Sequence, residues 1–169
     1  MYTQIASPLG TLTLSAKADA LTGLWIEGQT YSPAALGTRK ALSEVPLFLQ
    51  VSRWLDAYFA GENPQIDFAL APVGTEFRQS VWAILRKIPY GQTTTYGAIA
   101  RELGAKRGKP VSAQAVGGAV GHNPISILIP CHRVIGSDGS LTGYAGGLAL
   151  KQKLLASEGS LPSPVFRPN

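Results

Sequence analysis

An uncharged apolar run that ends at a proline and a cysteine constrains this chain more than any other stretch. Residues 125–134 read ISILIPCHRV, and the part before Pro130 is short and rich in β-branched side chains. Such a run predicts a buried strand or extended segment, and proline suits its end because it cannot continue a ladder of hydrogen bonds. Cys131, the only cysteine, therefore lies where a buried segment meets the polar and cationic residues His132 and Arg133.

The residues alone leave two interpretations of Cys131. A lone cysteine in apolar surroundings is usually a small buried hydrophobic residue. His132 and Arg133 would lower the pKa of the thiol if their side chains lay nearby, and the thiolate is the nucleophilic form. Neighbours in an extended segment point to opposite faces, so adjacency in sequence does not establish contact. A reactive thiol and an inert one remain equally open at this point.

Length, composition and charge bound the class of protein. The 169 residues, 45% of them hydrophobic, suit one globular domain or two small ones. A single cysteine allows neither an internal disulfide nor a cysteine-rich zinc site. The sequence has no signal-peptide pattern and no run of the ~20 apolar residues that span a bilayer, so we expect a cytoplasmic protein with no membrane partner.

The charge is distributed unevenly along the chain. Residues 1–70 carry four basic and six acidic side chains, whereas residues 71–169 carry eleven basic and four acidic ones. The excess of the second part favours a polyanionic partner. A basic surface that is merely solvated would have the same composition.

Strand signals precede helix signals. Residues 1–30 alternate in hydrophobicity and predict a meander of three strands, residues 31–43 predict a loop, and residues 46–60 have helical spacing. The proline-bearing residues 62–74 are the expected linker between a first domain, residues 1–70, and a second, residues 71–160. Residues 161–169 are expected to form a flexible tail.

Four further helices are predicted in the second domain from capping residues and from glycine or proline stops. Their expected limits are Thr75 to Pro89, Thr94 or Thr95 to Gly104, Ser112 to about Gly121, and about Leu148 to Glu158. A basic turn, residues 105–110, joins the second and third of these helices. This pair resembles a helix-turn-helix, whose second helix usually contacts DNA.

The third of these helices would have a nearly bare surface, because alanine and glycine dominate residues 113–121. Each glycine inside a helix costs about 1 kcal/mol relative to alanine, so a close approach to another backbone is expected to compensate. Such a helix would fit the narrow minor groove of DNA. Tight packing within the protein would explain the composition equally well.

Several motifs in one order resemble the O6-alkylguanine-DNA alkyltransferases, which repair DNA by direct reversal of damage. The resemblance covers about residues 74–158 strongly, and residues 1–70 only in outline, through SPLG at 7–10 and AYFAG at 57–61. The motifs that carry it are PCHRV at 130–134, GHNP at 121–124, GYAGG at 143–147, FRQSVW at 77–82, IPYG at 88–91, TYG at 95–97 and AVG at 115–117.

The resemblance implies a fold, an activity and a partner. The fold is an α/β N-terminal domain, ribonuclease H-like, followed by a mainly α, winged-helix-like C-terminal domain with a helix-turn-helix. The activity is single-turnover transfer of an alkyl group from O6 of a flipped guanine in double-stranded DNA to the cysteine, with O4-alkylthymine as a second candidate substrate. No metal or other cofactor is implied, and a monomer is the simplest expectation.

The resemblance also assigns roles to residues. Cys131 would accept the alkyl group, His132 would take the thiol proton through a water, and Glu158 would polarise the histidine, as in a hydrolase triad. Tyr96 would donate to the leaving guanine, and Asn123 would hold the turn before the cysteine segment.

Further residues would line the base pocket or contact DNA. The implied substrate-binding residues are Tyr96, Val134, Tyr144, Ala145 and Lys151, with the lysine assisting proton delivery. The implied DNA-binding residues are Thr94, Thr95, Lys106, Arg107, Lys109, Gln114, Ala115, Gly118 and Arg133.

One position departs from the pattern of the family. The family has an arginine directly before the AVG motif, and this arginine fills the stack that the flipped base leaves; here the residue is Gln114. A glutamine can occupy the gap and pair with the orphaned cytosine, but it adds no charge. The preceding connection is about four residues longer, and we expect its Lys106, Arg107 and Lys109 to hold phosphates in place of the missing charge.

Two other functions fit parts of the pattern. A non-enzymatic module that binds alkylated DNA, like the alkyltransferase-like proteins, would share most motifs, but that branch replaces the acceptor cysteine. A Cys-His hydrolase would use the same side chains, but a histidine adjacent to the thiol does not match the order of papain-like enzymes.

Overall fold

A computed structural model of the protein describes residues 1–160. The chain forms two compact units, one from residues 1–73 with 124–128, the other from residues 74–123 and the chain from residue 129 onward. The sequence-based boundary at residue 70 did not anticipate that residues 124–128 join the first unit. The expected flexible tail, residues 161–169, lies outside the described residues.

The first unit is built on a sheet of four strands. Strands β1 (Tyr2–Ser7), β2 (Gly10–Lys17) and β3 (Ala20–Ile26) form the predicted antiparallel meander, and the short β4 (Ala69–Leu70) adds parallel to β3. Strand β4 lies within the segment predicted to be only a linker. Helix α1 (Pro46–Phe59) forms where helical spacing was predicted, and it buries Leu47, Phe48, Val51 and Leu55.

The second unit is mainly helical, which confirms the expected fold class. Its helices are α2 (Glu76–Leu85), α3 (Tyr96–Arg107), α4 (Ala113–Gly121) and α5 (Leu148–Ser157), and β5 (Thr94–Thr95) pairs in parallel with β6 (Val134–Ile135). The predicted caps are confirmed for three helices, because the hydroxyls of Thr75, Thr95 and Ser112 accept hydrogen bonds from backbone N–H groups of the first turns. Among residues 1–160, no helix is long and apolar enough to cross a bilayer.

The predicted end of α3 at Gly104 is wrong. The helix continues to Arg107 and ends at Gly108, which has the left-handed conformation (φ 66°) of a C-terminal cap. A Cβ at Gly104 would approach the Lys109 carbonyl oxygen within 3.2 Å. Glycine at position 104 therefore gives the returning chain room beside the helix, and it does not stop the helix.

Helix α4 is anchored by a buried tryptophan of α2. The Trp82 indole nitrogen donates to the Ala119 carbonyl at 2.9 Å, and the side chain is 1% exposed. A Cβ at Gly74 would lie 2.4 Å from the Trp82 ring, so only glycine lets the chain pass at this point. This hydrogen bond ties α4 to α2 from its buried side, while its opposite face remains exposed.

The apolar run before the cysteine is buried, as predicted, but it is not a strand. Ile125 forms a single parallel bridge with Leu24, after which the chain turns, and Ile127 has φ 70°. Residues Cys131–Arg133 then form one turn of 3₁₀-helix. Apolarity reports burial, but a run without alternation cannot distinguish an extended segment from a buried series of turns.

Candidate active site and nucleic-acid interface

Cys131 begins the 3₁₀-turn and is 4% exposed. The Asn123 side-chain amide donates to the Ile129 carbonyl at 2.7 Å, which holds the chain just before the cysteine. Burial raises the pKa of the thiol, and a hydrogen bond with Asn123 and the charge of Lys151 offset only part of that rise. The cysteine therefore rests as a thiol and needs a base before it can act as a nucleophile.

His132 has the arrangement of such a base. Its Nε2 lies 2.7 Å from Glu158 Oε1, and both side chains are fully buried. Because a carboxylate can only accept, Nε2 carries the hydrogen and Nδ1 keeps its lone pair. Burial lowers the pKa of His132 against the opposing effect of Glu158, so the ring is neutral. Within residues 1–160, Nδ1 is buried and has no hydrogen-bond partner.

Arg133 supports this pair from the interior, so the prediction that it contacts DNA is wrong. Its Nε and Nη2 donate to the two oxygens of Glu158 at 2.8 and 2.9 Å, and its Nη1 donates to the Ile88 carbonyl at 2.7 Å. The side chain is only 11% exposed. A carboxylate buried this deeply requires a positive partner, and this demand outweighs any gain from a phosphate at the surface.

Tyr96 and Lys151 share one acceptor. The Tyr96 hydroxyl and the Lys151 ammonium donate to the Thr142 carbonyl at 2.9 and 2.7 Å, and Lys151 Nζ lies 5.8 Å from the centroid of the Tyr96 ring. Burial raises the pKa of Tyr96, so its hydroxyl stays a donor. Burial lowers the pKa of Lys151 to about 8, so this amine can release or take up a proton near neutral pH.

The loop that follows β6 brings the remaining predicted pocket residues to the same unit. Val134 is buried in β6, opposite Thr94 of β5, and this pairing places the start of α3 beside the cysteine segment. Tyr144 and Ala145 are half-buried in the loop. A Cβ at Gly143 (φ +62°) would lie 3.6 Å from the Tyr96 hydroxyl, so this loop runs close to the predicted donor.

The exposed face of α4 is open. Gln114, Ala115 and Gly118 are exposed, and a Cβ at Gly118 or Gly121 would meet no atom within 4 Å. At Gly117 a Cβ would make only ordinary contact, 3.9 Å, with the Tyr96 ring. Packing within the described protein therefore does not explain the glycines, which favours the alternative that another molecule approaches this face.

The cations near α4 differ in their surroundings. Lys106 pairs with Glu102 at 2.8 Å, and the Arg107 guanidinium lies 5.4 Å from the centroid of the Phe77 ring. Lys109 lines a cavity of about 490 Å³ between α3 and the turn before α4, together with Arg101. Arg101 was not predicted, although it follows Gly97 by one helical turn and so shares its face.

The described residues offer no grouped metal ligands: within residues 1–160, no three His, Cys, Asp or Glu side chains lie close enough together to hold a metal ion. The site is instead made of single side chains with separate roles, namely Cys131, His132, Glu158, Tyr96 and Lys151. The site thus comprises a buried thiol, a neutral histidine with a free lone pair, and two donors on a shared carbonyl, the buried Lys151 and the half-buried Tyr96. Such a set can activate a sulfur nucleophile and protonate a leaving group.

Comparison with known proteins agrees with this chemistry. The family model of the 6-O-methylguanine DNA methyltransferase DNA binding domain matches residues 76–160, and that of the 6-O-methylguanine DNA methyltransferase ribonuclease-like domain matches residues 1–72. Together the two models cover nearly the whole described chain.

Relatives are similar over most of their length. A methylated-DNA--protein-cysteine methyltransferase of Mycolicibacterium paratuberculosis is 49% identical over 158 residues, with 93% of this chain and 91% of the relative covered. Another, of Methanosarcina acetivorans, is 46% identical, with 94% and 98% covered. The crystal structure of Mycobacterium tuberculosis OGT in complex with DNA superposes with a TM-score of 0.83 at 46% identity, with 94% and 92% covered.

The buried amine of Lys151 predicts a specific pH dependence of stability. Its pKa is about 8 in the folded protein against an ordinary value of 10.5, so the folded state binds this proton more weakly. This contribution to stability is complete above pH 10.5 and is lost as the pH falls to 8, a change of about 3 kcal/mol. Denaturant unfolding should show this loss of free energy of unfolding in the native chain but not in Lys151→Met. Below pH 8, the difference between the unfolding free energies of the two proteins should be constant.

The matched control for this measurement is Lys153→Met, on an exposed residue of the same helix. The free energy of unfolding of Lys153→Met should have the same pH dependence as that of the native chain. An identical slope for the native chain and Lys151→Met between pH 8 and 10.5 would contradict the assignment.

Proposed function

The chain belongs to the 6-O-methylguanine DNA methyltransferase family, and from this premise we propose that Cys131 is the alkyl acceptor in single-turnover repair of O6-alkylguanine in double-stranded DNA. The observation that carries the proposal is the buried pair of His132 and Glu158, which leaves the lone pair of Nδ1 available within the segment that holds the thiol. O4-alkylthymine is a second candidate substrate.

The reaction requires a thiolate and a protonated leaving group. His132 Nδ1 takes the thiol proton of Cys131 through a water, and the sulfur attacks the alkyl carbon. The bond between this carbon and guanine O6 breaks while the sulfur–carbon bond forms. The departing guanine takes up one proton from Lys151, and the proton held by His132 replaces it, so no net proton is gained or lost. The products are unmodified guanine and a thioether, which no group in the site can reverse, so each molecule reacts once.

Tyr96 and Lys151 are suited to the leaving group. Both donate to the Thr142 carbonyl, so the two donors lie side by side and an acceptor atom of the guanine would compete with this carbonyl for them. We propose that Tyr96 donates to the guanine as its negative charge develops, and that Lys151 supplies the proton of the base edge. Tyr144 and Ala145 would bound the pocket.

The target atom lies inside a duplex, so the nucleotide must be flipped out, at a cost of a few kcal/mol. We propose that the open face of α4 enters the minor groove and that Gln114, in its first turn, occupies the gap. Thr94 and Thr95, at the start of α3, and Lys106, Arg107 and Lys109, at its end, would contact phosphates. We propose that the protein is cytoplasmic and monomeric. A DNA substrate and an unpaired cysteine are both compatible with this.

Intact-mass spectrometry tests the central proposal. After incubation with duplex DNA that carries O6-methylguanine, the protein should gain one methyl group, mapped to Cys131 and limited to one per molecule. Cys131→Ser should bind the duplex without gaining mass. Binding without mass gain in the native chain would favour the non-enzymatic module, and repeated turnover of an ester substrate would favour a hydrolase.

Gln114→Arg tests the role of the first turn of α4. The added charge should speed methyl transfer from the duplex, because it stabilises the flipped state, and should leave the reaction with free O6-benzylguanine unchanged. The two rates are measured from the mass gain over time. An equal change with both substrates would show that position 114 acts on the chemistry and not on the duplex.

Lys109→Gln tests the phosphate contacts of the turn before α4. Each lost phosphate contact lowers the slope of log affinity against log salt concentration by about 0.9. We expect this reduction for Lys109→Gln, measured by fluorescence anisotropy with the unreactive Cys131→Ser protein. Lys17→Gln, on an exposed lysine of β2, is the control and should leave the slope unchanged; an unchanged slope for Lys109→Gln would exclude the contact.

A further inference from the structure

Arg133 makes several polar contacts, and the proposed reaction gives this residue no role. It makes three hydrogen bonds, two to Glu158 and one to the Ile88 carbonyl, and its guanidinium lies 5.8 Å from the centroid of the Tyr90 ring. It touches neither Thr142 nor the open face of α4 in any of these contacts. Two of these three hydrogen bonds go to the carboxylate that accepts from His132.

The geometry makes these contacts consequential for the histidine. Glu158 Oε1 lies 2.7 Å from His132 Nε2 and 2.9 Å from Arg133 Nη2, while Oε2 lies 2.8 Å from Arg133 Nε. The two-pronged contact orients both oxygens of the carboxylate, and one of them faces the imidazole. The arginine thereby sets which ring nitrogen of His132 carries the hydrogen.

We propose that Arg133 is a positioning residue for alkyl transfer: its two-pronged contact keeps Glu158 ionised and oriented, and so keeps the lone pair of His132 on Nδ1. The proposal rests on the proposed function of Cys131 as acceptor. It assigns to Arg133 a role in the protonation of the base, in place of the DNA contact that the sequence predicted.

The charges around His132 show what loss of the arginine would do. The charged groups that act on His132 are Glu158, Arg133 and Lys151. Without Arg133, the buried carboxylate loses two N–H donors and the positive charge that balances it, and this loss raises the affinity of the carboxylate and imidazole pair for a proton. If the proton enters the imidazole, both ring nitrogens carry hydrogen; if it enters the carboxyl group, that group donates to Nε2 and Nδ1 carries the hydrogen. Either way the base is lost until the pH is raised.

The test is the pH profile of methyl transfer. The first-order rate is measured by rapid quenching and intact mass at saturating O6-methylguanine duplex, from pH 5.5 to 9.5. Arg133→Met should be about tenfold slower than the native chain at pH 6.5 and should recover to within about threefold by pH 8.5, because below its pKa the deprotonated fraction of a base rises about tenfold with each pH unit. Arg133→Lys keeps the charge and should restore most of the native profile.

Two comparisons separate this role from a structural one. Arg86→Met, on an exposed arginine at the end of α2, should match the native profile. A rate of Arg133→Met that is reduced by one factor at every pH, as from a loosened fold, would overturn the proposal. A native chain that gains no methyl group at any pH would instead refute the proposed function.

The native protein provides a measurement that does not depend on any variant folding. The ring ¹⁵N chemical shifts of His132, recorded by NMR at pH 7.5, should show a neutral ring with hydrogen on Nε2. A neutral ring with hydrogen on Nδ1 would overturn the proposal, since Arg133 and Glu158 would then not be directing the lone pair.

Discussion

The buried carboxylate of Glu158 is the interaction on which the site depends. It accepts from His132 and Arg133 at once, and the arginine continues to the Ile88 carbonyl, so one group joins the cysteine segment, the turn after α2 and the end of α5. Breaking one partner of a buried ion pair costs about 3–5 kcal/mol, whereas an exposed pair such as Lys106 with Glu102 contributes under about 1 kcal/mol. The buried cluster therefore dominates the electrostatics of the second unit.

The burial of this cluster also sets the protonation states of the groups proposed to react. Burial withdraws the thiol and the imidazole from bulk solvent, which raises the pKa of Cys131 and lowers that of His132. Both groups are neutral at rest, so in the proposed reaction a thiolate forms only when His132 takes the proton of the thiol. A thiol held in this way is protected from casual oxidation, because the reactive form is present only when the base is used.

The proposed chemistry and the proposed contact with DNA occupy different parts of the second unit. The polar groups of the reaction are buried and hydrogen-bonded, whereas α4 presents a face of alanine and glycine with one long side chain, Gln114, in its first turn. The two parts meet at Tyr96, whose hydroxyl donates to Thr142 and whose ring lies under Gly117. A base delivered past the bare helix would thus arrive beside the donor that its departure requires.

Local sequence determined the helices and most of the strands. The hydroxyl caps at Thr75, Thr95 and Ser112, the apolar spacing of α1 and the alternation of the first thirty residues act over a few neighbours, and each produced the predicted element. The juxtaposition of thiol and histidine was also visible, and the motifs around them indicated the family. Among these local signals, the interpretation was wrong where an apolar run or a glycine has more than one structural use, as in residues 125–130 and at Gly104.

Tertiary structure alone decided the partners of the polar side chains. Nothing near Arg133 in sequence indicates that its guanidinium meets Glu158, 25 residues away, and not a phosphate. Likewise only the fold brings Tyr96 and Lys151 to one carbonyl and sets the pKa of that amine to about 8. The physical reason is that capping and periodicity depend on the local backbone, whereas burial and the pairing of charges depend on which distant segments exclude water together.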